Sequence, residues 1–200
     1  MMMSGENFNR PPHLSEEQLA EHSRLYPEFH ASKLKEIEAR LIKADTICVN
    51  PTYCQLRSLK KEQAYAINSI RLHALYFDNY GHTEEQPSDE LMAFMERDFG
   101  SYEEWEKQFR GLSMCSRGWV VLGFDLKDGV LRSFITDDHA EGVWLLIPIL
   151  VLDIFEHAYY KAFNSREEYV ESFFRTIRWD TVNRRFKAVK IFYHSMSSML

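Results

Sequence analysis

Asp153-Ile154-Phe155-Glu156-His157-Ala158-Tyr159-Tyr160 follows directly on Trp144 to Leu152, a run of large apolar residues interrupted only by Pro148. A run of that length reads as a buried strand with its lead-in. Polar groups set against such a run must be paired or must bind something, since burying one without a partner costs on the order of several kcal/mol. Asp153 and His157 are both good ligands for a transition metal. The stretch therefore reads as the end of a core strand that turns chemically active side chains inward.

Working outward, Trp119 to Phe124 and Val130 to Ile135 are two further β-prone runs, separated by Lys127-Asp128-Gly129. An Asp-Gly pair between such runs predicts a hairpin, and the run ending at Leu152 supplies a third strand. Helix signals surround them. Pro87-Ser88 opens a helix ending at Gly100, and Ser101 with Glu104 caps one to about Cys115. Ser165 with Glu168 caps another, and Trp179 to about Met196 reads as one more.

The first half is different. Ser15 with Gln18 starts helix-rich sequence reaching about Ala44, with Pro27 expected to kink or divide it. Residues 45–57 read as a connector, and Ser58 opens a second long helix to about Asn79, closed by Gly81. Two such helices predict an antiparallel hairpin with facing apolar stripes. The expected class is α+β: a helical-hairpin domain over residues 1–85, then an α/β domain with a three-stranded antiparallel sheet over 86–200.

Composition narrows the function. The chain of 200 residues is 45% hydrophobic and 14% aromatic, enough for one large domain or two halves sharing a core. A net charge of −6 argues against a nonspecific nucleic-acid binder. No apolar stretch approaches the roughly 20 residues of a membrane helix, and Met1 to Arg10 has no signal-peptide core. Cys48, Cys54 and Cys115 lack zinc-type spacing and read as reduced, partly buried thiols of a cytoplasmic protein.

Eight histidines are present. His22 and His73 sit mid-helix among apolar residues, where a histidine is ordinarily a core or rim residue with one hydrogen bond. Paired as a hairpin, the two helices could bring both to one level, with Asp153 and His157 joining them. Three imidazoles and a carboxylate suit iron or manganese. The spacing is too scattered to be a motif in itself.

The Asp153–Tyr160 stretch closely resembles the Asp-x-Trp-Glu-His-Ala-Tyr-Tyr signature of the iron/manganese superoxide dismutases. The resemblance continues along the chain, in order. Leu14-Ser15 through Glu21-His22 is similar to that family's first ligand helix, and Leu72 to Phe77 to its Asn-His-x-x-Phe-Trp segment. Ser116-Arg117-Gly118-Trp119 resembles its Gly-x-Gly-Trp, and Arg178-Trp179-Asp180 with Arg185-Phe186 its Asn-Trp-Asp…Arg-Phe ending. The resemblance implies a helical hairpin followed by an α/β domain. It also implies His22, His73, Asp153 and His157 as ligands of one iron or manganese ion per chain, superoxide as substrate, and a homodimer in which Glu156 and Tyr160 lie at the contact.

Around the expected metal the sequence departs from that pattern. The family runs His-x-x-Lys-His-His-x-x-Tyr, whereas this chain has Leu25 in place of the lysine, Tyr26 in place of an interface histidine, and His30 in place of the gateway tyrosine. Tyr26 and His30 fall at i+4 and i+8 from His22, on one helix face unless Pro27 rotates the turn. His30 is thus expected to line the cavity mouth. Ser69 stands where iron-type members carry a glutamine. The manganese-type position falls in Thr136-Asp137-Asp138-His139, where His139 or one of the aspartates takes its place. Phe155 replaces a cavity tryptophan. Two functional readings follow: an active dismutase in which Tyr26, His30 and His139 rebuild the surroundings of the metal, or a metal-binding relative with weak or lost turnover. Residues 187–200 extend past the family's usual ending and read as an amphipathic segment that packs on the core or on a partner.

Overall fold

The computed structural model describes residues 16–81 and 83–197; His13, the Ser15 cap and His82 lie outside the described residues. Helix α1 (Glu16–Leu41) pairs with α2 (Gln55–Asn79) across the connector 42–54. On α1 the less exposed positions include His22, Tyr26, His30, Leu34, Ile37 and Leu41, one stripe at helical spacing. α2 answers with Leu59, Ala66, Ser69, His73, Tyr76 and Asn79. Pro27 does not divide α1, which runs unbroken through it. A mid-helix proline costs about 3 kcal/mol, and packing of the stripe on α2 offsets that cost.

α2 begins at Gln55 rather than Ser58. Cys54 is the cap and contributes no side-chain cap bond, so the start carries no signal that sequence can show. Ser58 lies in the first turn, its hydroxyl donating to the Cys54 carbonyl at 3.4 Å.

The second half follows the expected order: α3 (Asp89–Phe99), α4 (Tyr102–Cys115), β1 (Trp119–Asp125), β2 (Val130–Thr136), β3 (Leu146–Asp153), a single-turn α5 (Glu156–Tyr159), α6 (Arg166–Arg175) and α7 (Trp179–Ser197). Ser88, Ser101 and Ser165 accept from the backbone N–H of Leu91, Glu104 and Glu168, which sets the starts of α3, α4 and α6. The strands form one antiparallel sheet in the order β2-β1-β3. β1 is buried along its whole length. Trp105, Phe109, Phe124, Phe173 and Phe186 fill the core around it.

The apolar run before Asp153 is strand only from Leu146. Trp144 is 95% exposed, and Leu145 takes a φ of 65°, turning the chain into β3. The thiols also differ from expectation. All three are free, but Cys48 and Cys115 are exposed and only Cys54 is partly covered.

One clamp ties the halves together. The Asn79 side chain accepts from Val151 N–H at 2.9 Å and donates to Val151 C=O at 3.1 Å, as a neighbouring strand would. Arg185 on α7 donates to the carbonyls of Leu75 (2.9 Å) and Ile149 (3.1 Å). α2 and β3 are thereby held in one register, which sets His73 opposite Asp153.

Candidate metal centre

Asp153 is the last residue of β3 and lies directly across from Trp119 in the sheet, with Thr136 on Trp119's other side. Its Oδ1 accepts from Phe155 N–H at 2.9 Å, a local turn that leads into α5 and leaves Oδ2 turned inward. Tyr169 donates its hydroxyl proton to the Asp153 carbonyl at 2.8 Å. That proton being used, Tyr76 is the donor in the 2.9 Å contact between the two phenols. The strand end is thus anchored from α6 and α2 together.

Oδ2 of Asp153 lies 3.5 Å from His22 Nε2, 3.6 Å from His73 Nε2 and 3.3 Å from His157 Nε2. The four ligating atoms lie within 4.8 Å of one another. His22 comes from the α1 stripe, His73 from the buried face of α2, and His157 from α5, four residues past Asp153. His73 Nδ1 donates to the Ser69 carbonyl at 2.7 Å, so its Nε2 carries the lone pair.

All four inward atoms are buried and have no hydrogen-bond partner among the described residues. Leaving one such atom unpaired costs about 1–3 kcal/mol, and four together point to a cation. Burial pushes His22 down to about 4, against the pull of the Asp153 carboxylate, and it lowers His73 likewise. Burial by itself raises Asp153, but the facing imidazoles of His157, His73 and His22 more than offset it and hold the carboxyl below its usual range. Three imidazoles with one carboxylate form the N/O donor set that suits iron or manganese.

Around these four the structure brings together most of the other residues singled out by sequence. Tyr26 stacks on His157, with ring centres 4.1 Å apart, and stands edge-on to His22 at 5.1 Å. Phe155 also stacks on His157, with ring centres 5.4 Å apart. His139 is buried, whereas Asp137 and Asp138 are exposed, so the histidine is the member of that segment that reaches the site. Its ring lies 5.5 Å from that of His73. Trp119 Nε1 donates to His139 Nδ1 at 2.7 Å. Burial pushes His139 down to about 3, so the ring is neutral at pH 7 and its one proton sits on Nε2.

His30 is half-buried at the rim, 5.7 Å from the His139 ring. Glu156 and Tyr160 face outward, Tyr160 61% exposed, and do not join the four.

Two contributors escape a reading of motifs. Asn68 donates to the His139 carbonyl at 2.8 Å, and Tyr65 meets the His139 ring edge at 4.6 Å. Tyr65 precedes His73 by just over two helical turns, so helical spacing alone would have placed it on the face of α2 that leads to the site.

A sequence model described as iron/manganese superoxide dismutases, C-terminal domain, matches residues 87–185. Similar proteins include the iron superoxide dismutase of Aquifex pyrophilus, 32% identical over 193 residues, covering 94% of this chain and 91% of the relative. That of Methanothermobacter thermautotrophicus is 32% identical over 188 residues, covering 89% of each. A manganese superoxide dismutase of Halobacterium salinarum is 35% identical over 119 residues, covering 58% of this chain and 60% of the relative. Aligned over nearly its whole length with such relatives, the chain belongs to the iron/manganese superoxide dismutase family.

Proposed function

We propose that this chain disproportionates superoxide, two superoxide ions and two protons giving one dioxygen and one hydrogen peroxide, with His22, His73, Asp153 and His157 holding one iron or manganese ion. The observation that carries the reading is the set of four buried, partnerless donor atoms converging on one point. An ion of either metal held by these four residues would supply one-electron redox chemistry. The residues supply the rest. His73 is oriented by the Ser69 carbonyl and Asp153 by the Phe155 N–H, which fixes both lone pairs on the centre. Tyr26, Phe155 and Trp119 wall the site with rings and limit water. His139, neutral and protonated on Nε2, is the hydrogen-bond donor that stands in for the family's glutamine, with His30 behind it at the rim.

The alternative, a metal-holding relative without turnover, draws on the loss of the glutamine at Ser69 and of the tyrosine at His30. The Trp119–His139 bond weighs against it, since it supplies an oriented donor beside the cluster. We further assign Glu156 and Tyr160, exposed next to His157, to a homodimer contact. Residues 1–85 and 86–200 are read as two units, each contributing two ligands. The test is a superoxide flux of known size, read for peroxide and oxygen. A product ratio of one to one with accelerated superoxide loss, absent in His157→Ala, supports dismutation; equal rates with and without the protein contradict it.

A further inference from the structure

An open groove of about 610 Å³ runs between α1 and α2. Phe29, Lys33 and Ile37 line its α1 side, Leu59 and Ala66 its α2 side, and His30 and Tyr65 both lie on it. The rings of His30 and Tyr65 are 5.7 Å apart. Behind them stands His139, 4.6 Å from Tyr65 and 5.7 Å from His30, and behind His139 stands His73 at 5.5 Å. At these separations the rings are in contact, so His30 and Tyr65, both on the groove, stand side by side against His139.

We propose that Tyr65 and His30 form a two-sided gate across the inner end of this groove, and that Tyr65 sets which anions pass to the metal centre. The inference rests on reading the cluster as a metal centre and goes beyond it by assigning the route and the residue that controls it. Two features place the control on Tyr65. First, the backbone of the His139 segment is held to α2 by the Asn68 bond, so His139 is the fixed post of the three. Second, Tyr65 is only partly covered, with room on its groove side for the ring to swing. A small linear anion needs only a slight displacement of one ring, whereas a planar aromatic anion needs the Tyr65 ring removed. Tyr65 acts through passage, so it is a specificity-determining residue and not a catalytic one.

A gate that opens to the same extent in free and liganded protein, in about 1–10% of molecules, slows binding and release alike, and its removal speeds both by about 10- to 100-fold without changing affinity. The test uses iron-loaded full-length protein and azide, a linear anion close in size to superoxide, followed by stopped-flow absorption. In Tyr65→Ala, azide association and dissociation rates are expected to rise together by at least about 10-fold with Kd within about twofold, and benzoate, which the native protein is expected to exclude, is expected to gain access. Tyr65→Phe keeps the ring and is expected to stay within about twofold of the native rates. Tyr65→Leu replaces the alanine variant if that one does not fold. Unchanged azide rates in Tyr65→Ala or Tyr65→Leu, with iron bound, overturn the gate while leaving the metal centre standing. A changed Kd with unchanged rates of approach also overturns it, since that marks a distorted pocket. Native protein that binds no iron overturns the metal reading and the gate with it.

Discussion

The two walls of the site are built differently. On the sheet side, Asp153, Trp119 and His139 are held by strand register, by the Asn79–Val151 clamp and by bonds from Tyr169, Asn68 and Trp119. On the α1 side, His22, Tyr26 and His30 hang from one helix whose stripe rests on α2. The sheet wall leaves little freedom, because each side chain there answers to several partners. The α1 wall needs only helical spacing, so ring-bearing residues can be exchanged along it without disturbing the frame. The departures at Tyr26 and His30 fall on this freer wall, where a tyrosine now stacks on His157 and a histidine stands at the rim.

Substitutions can break or sharpen that contrast. The largest effect is expected at His157, on the helical turn α5 that follows the sheet wall's last strand. His157→Ala should lower bound metal by more than about tenfold while leaving a folded chain; normal metal content by elemental analysis would remove His157 from the ligand set. Trp119→Phe deletes the donor that fixes the His139 tautomer. Activity should fall about 10- to 100-fold with metal retained, and a rate equal to that of the native protein would show that the bond is dispensable. Gly118→Ala probes the backbone behind the same wall. A Cβ there would lie 2.8 Å from the Thr136 carbonyl oxygen, so a loss of about 1–3 kcal/mol is expected in urea unfolding.

Acid should act on both walls at once in the metal-free protein. His22 is held down at about 4 and His139 at about 3, both by burial, from an ordinary 6.5. The unfolded chain therefore takes up protons below 6.5 that the folded chain does not. The stability these two groups contribute is complete above pH 6.5, declines toward pH 4 through His22, and continues to decline toward pH 3 through His139. Each contributes a slope approaching about 1.4 kcal/mol per pH unit within its window. Urea midpoints that stay flat from pH 7.5 to 5 would contradict the burial of these rings. The smallest effect belongs to the free wall: His30→Tyr should leave metal content unchanged and alter only the pH profile of turnover. Loss of metal in that variant would erase the distinction between the walls.

The same contrast explains what could be read from sequence. Local chemistry was legible. Ser88, Ser101 and Ser165 each announce a helix because the capping bond is made within four residues, and Asp128-Gly129 announces the hairpin for the same reason. Features decided by distant packing were not. Pro27 stays helical because α2 holds the stripe, α2 starts at a Cys54 that makes no cap bond, and the exposure of Trp144 follows from the turn at Leu145. For the site, the scattered spacing of His22, His73, Asp153 and His157 left their meeting point open to physics alone, and the family resemblance supplied it. The choice among Asp137, Asp138 and His139 depends on which side chain turns inward after β2, and Tyr65 on which face of α2 borders the groove. Neither is written in a motif.

The role proposed for the four partnerless buried atoms is to hold a redox-active ion that turns over superoxide. Its most direct test is elemental analysis of the purified protein together with superoxide decay before chelation, after chelation and after reloading with iron or manganese. About one metal ion per chain is expected, with decay accelerated by the loaded protein, the acceleration lost on stripping and restored by one of the two metals. A fully loaded protein that leaves superoxide decay at its spontaneous rate would contradict it.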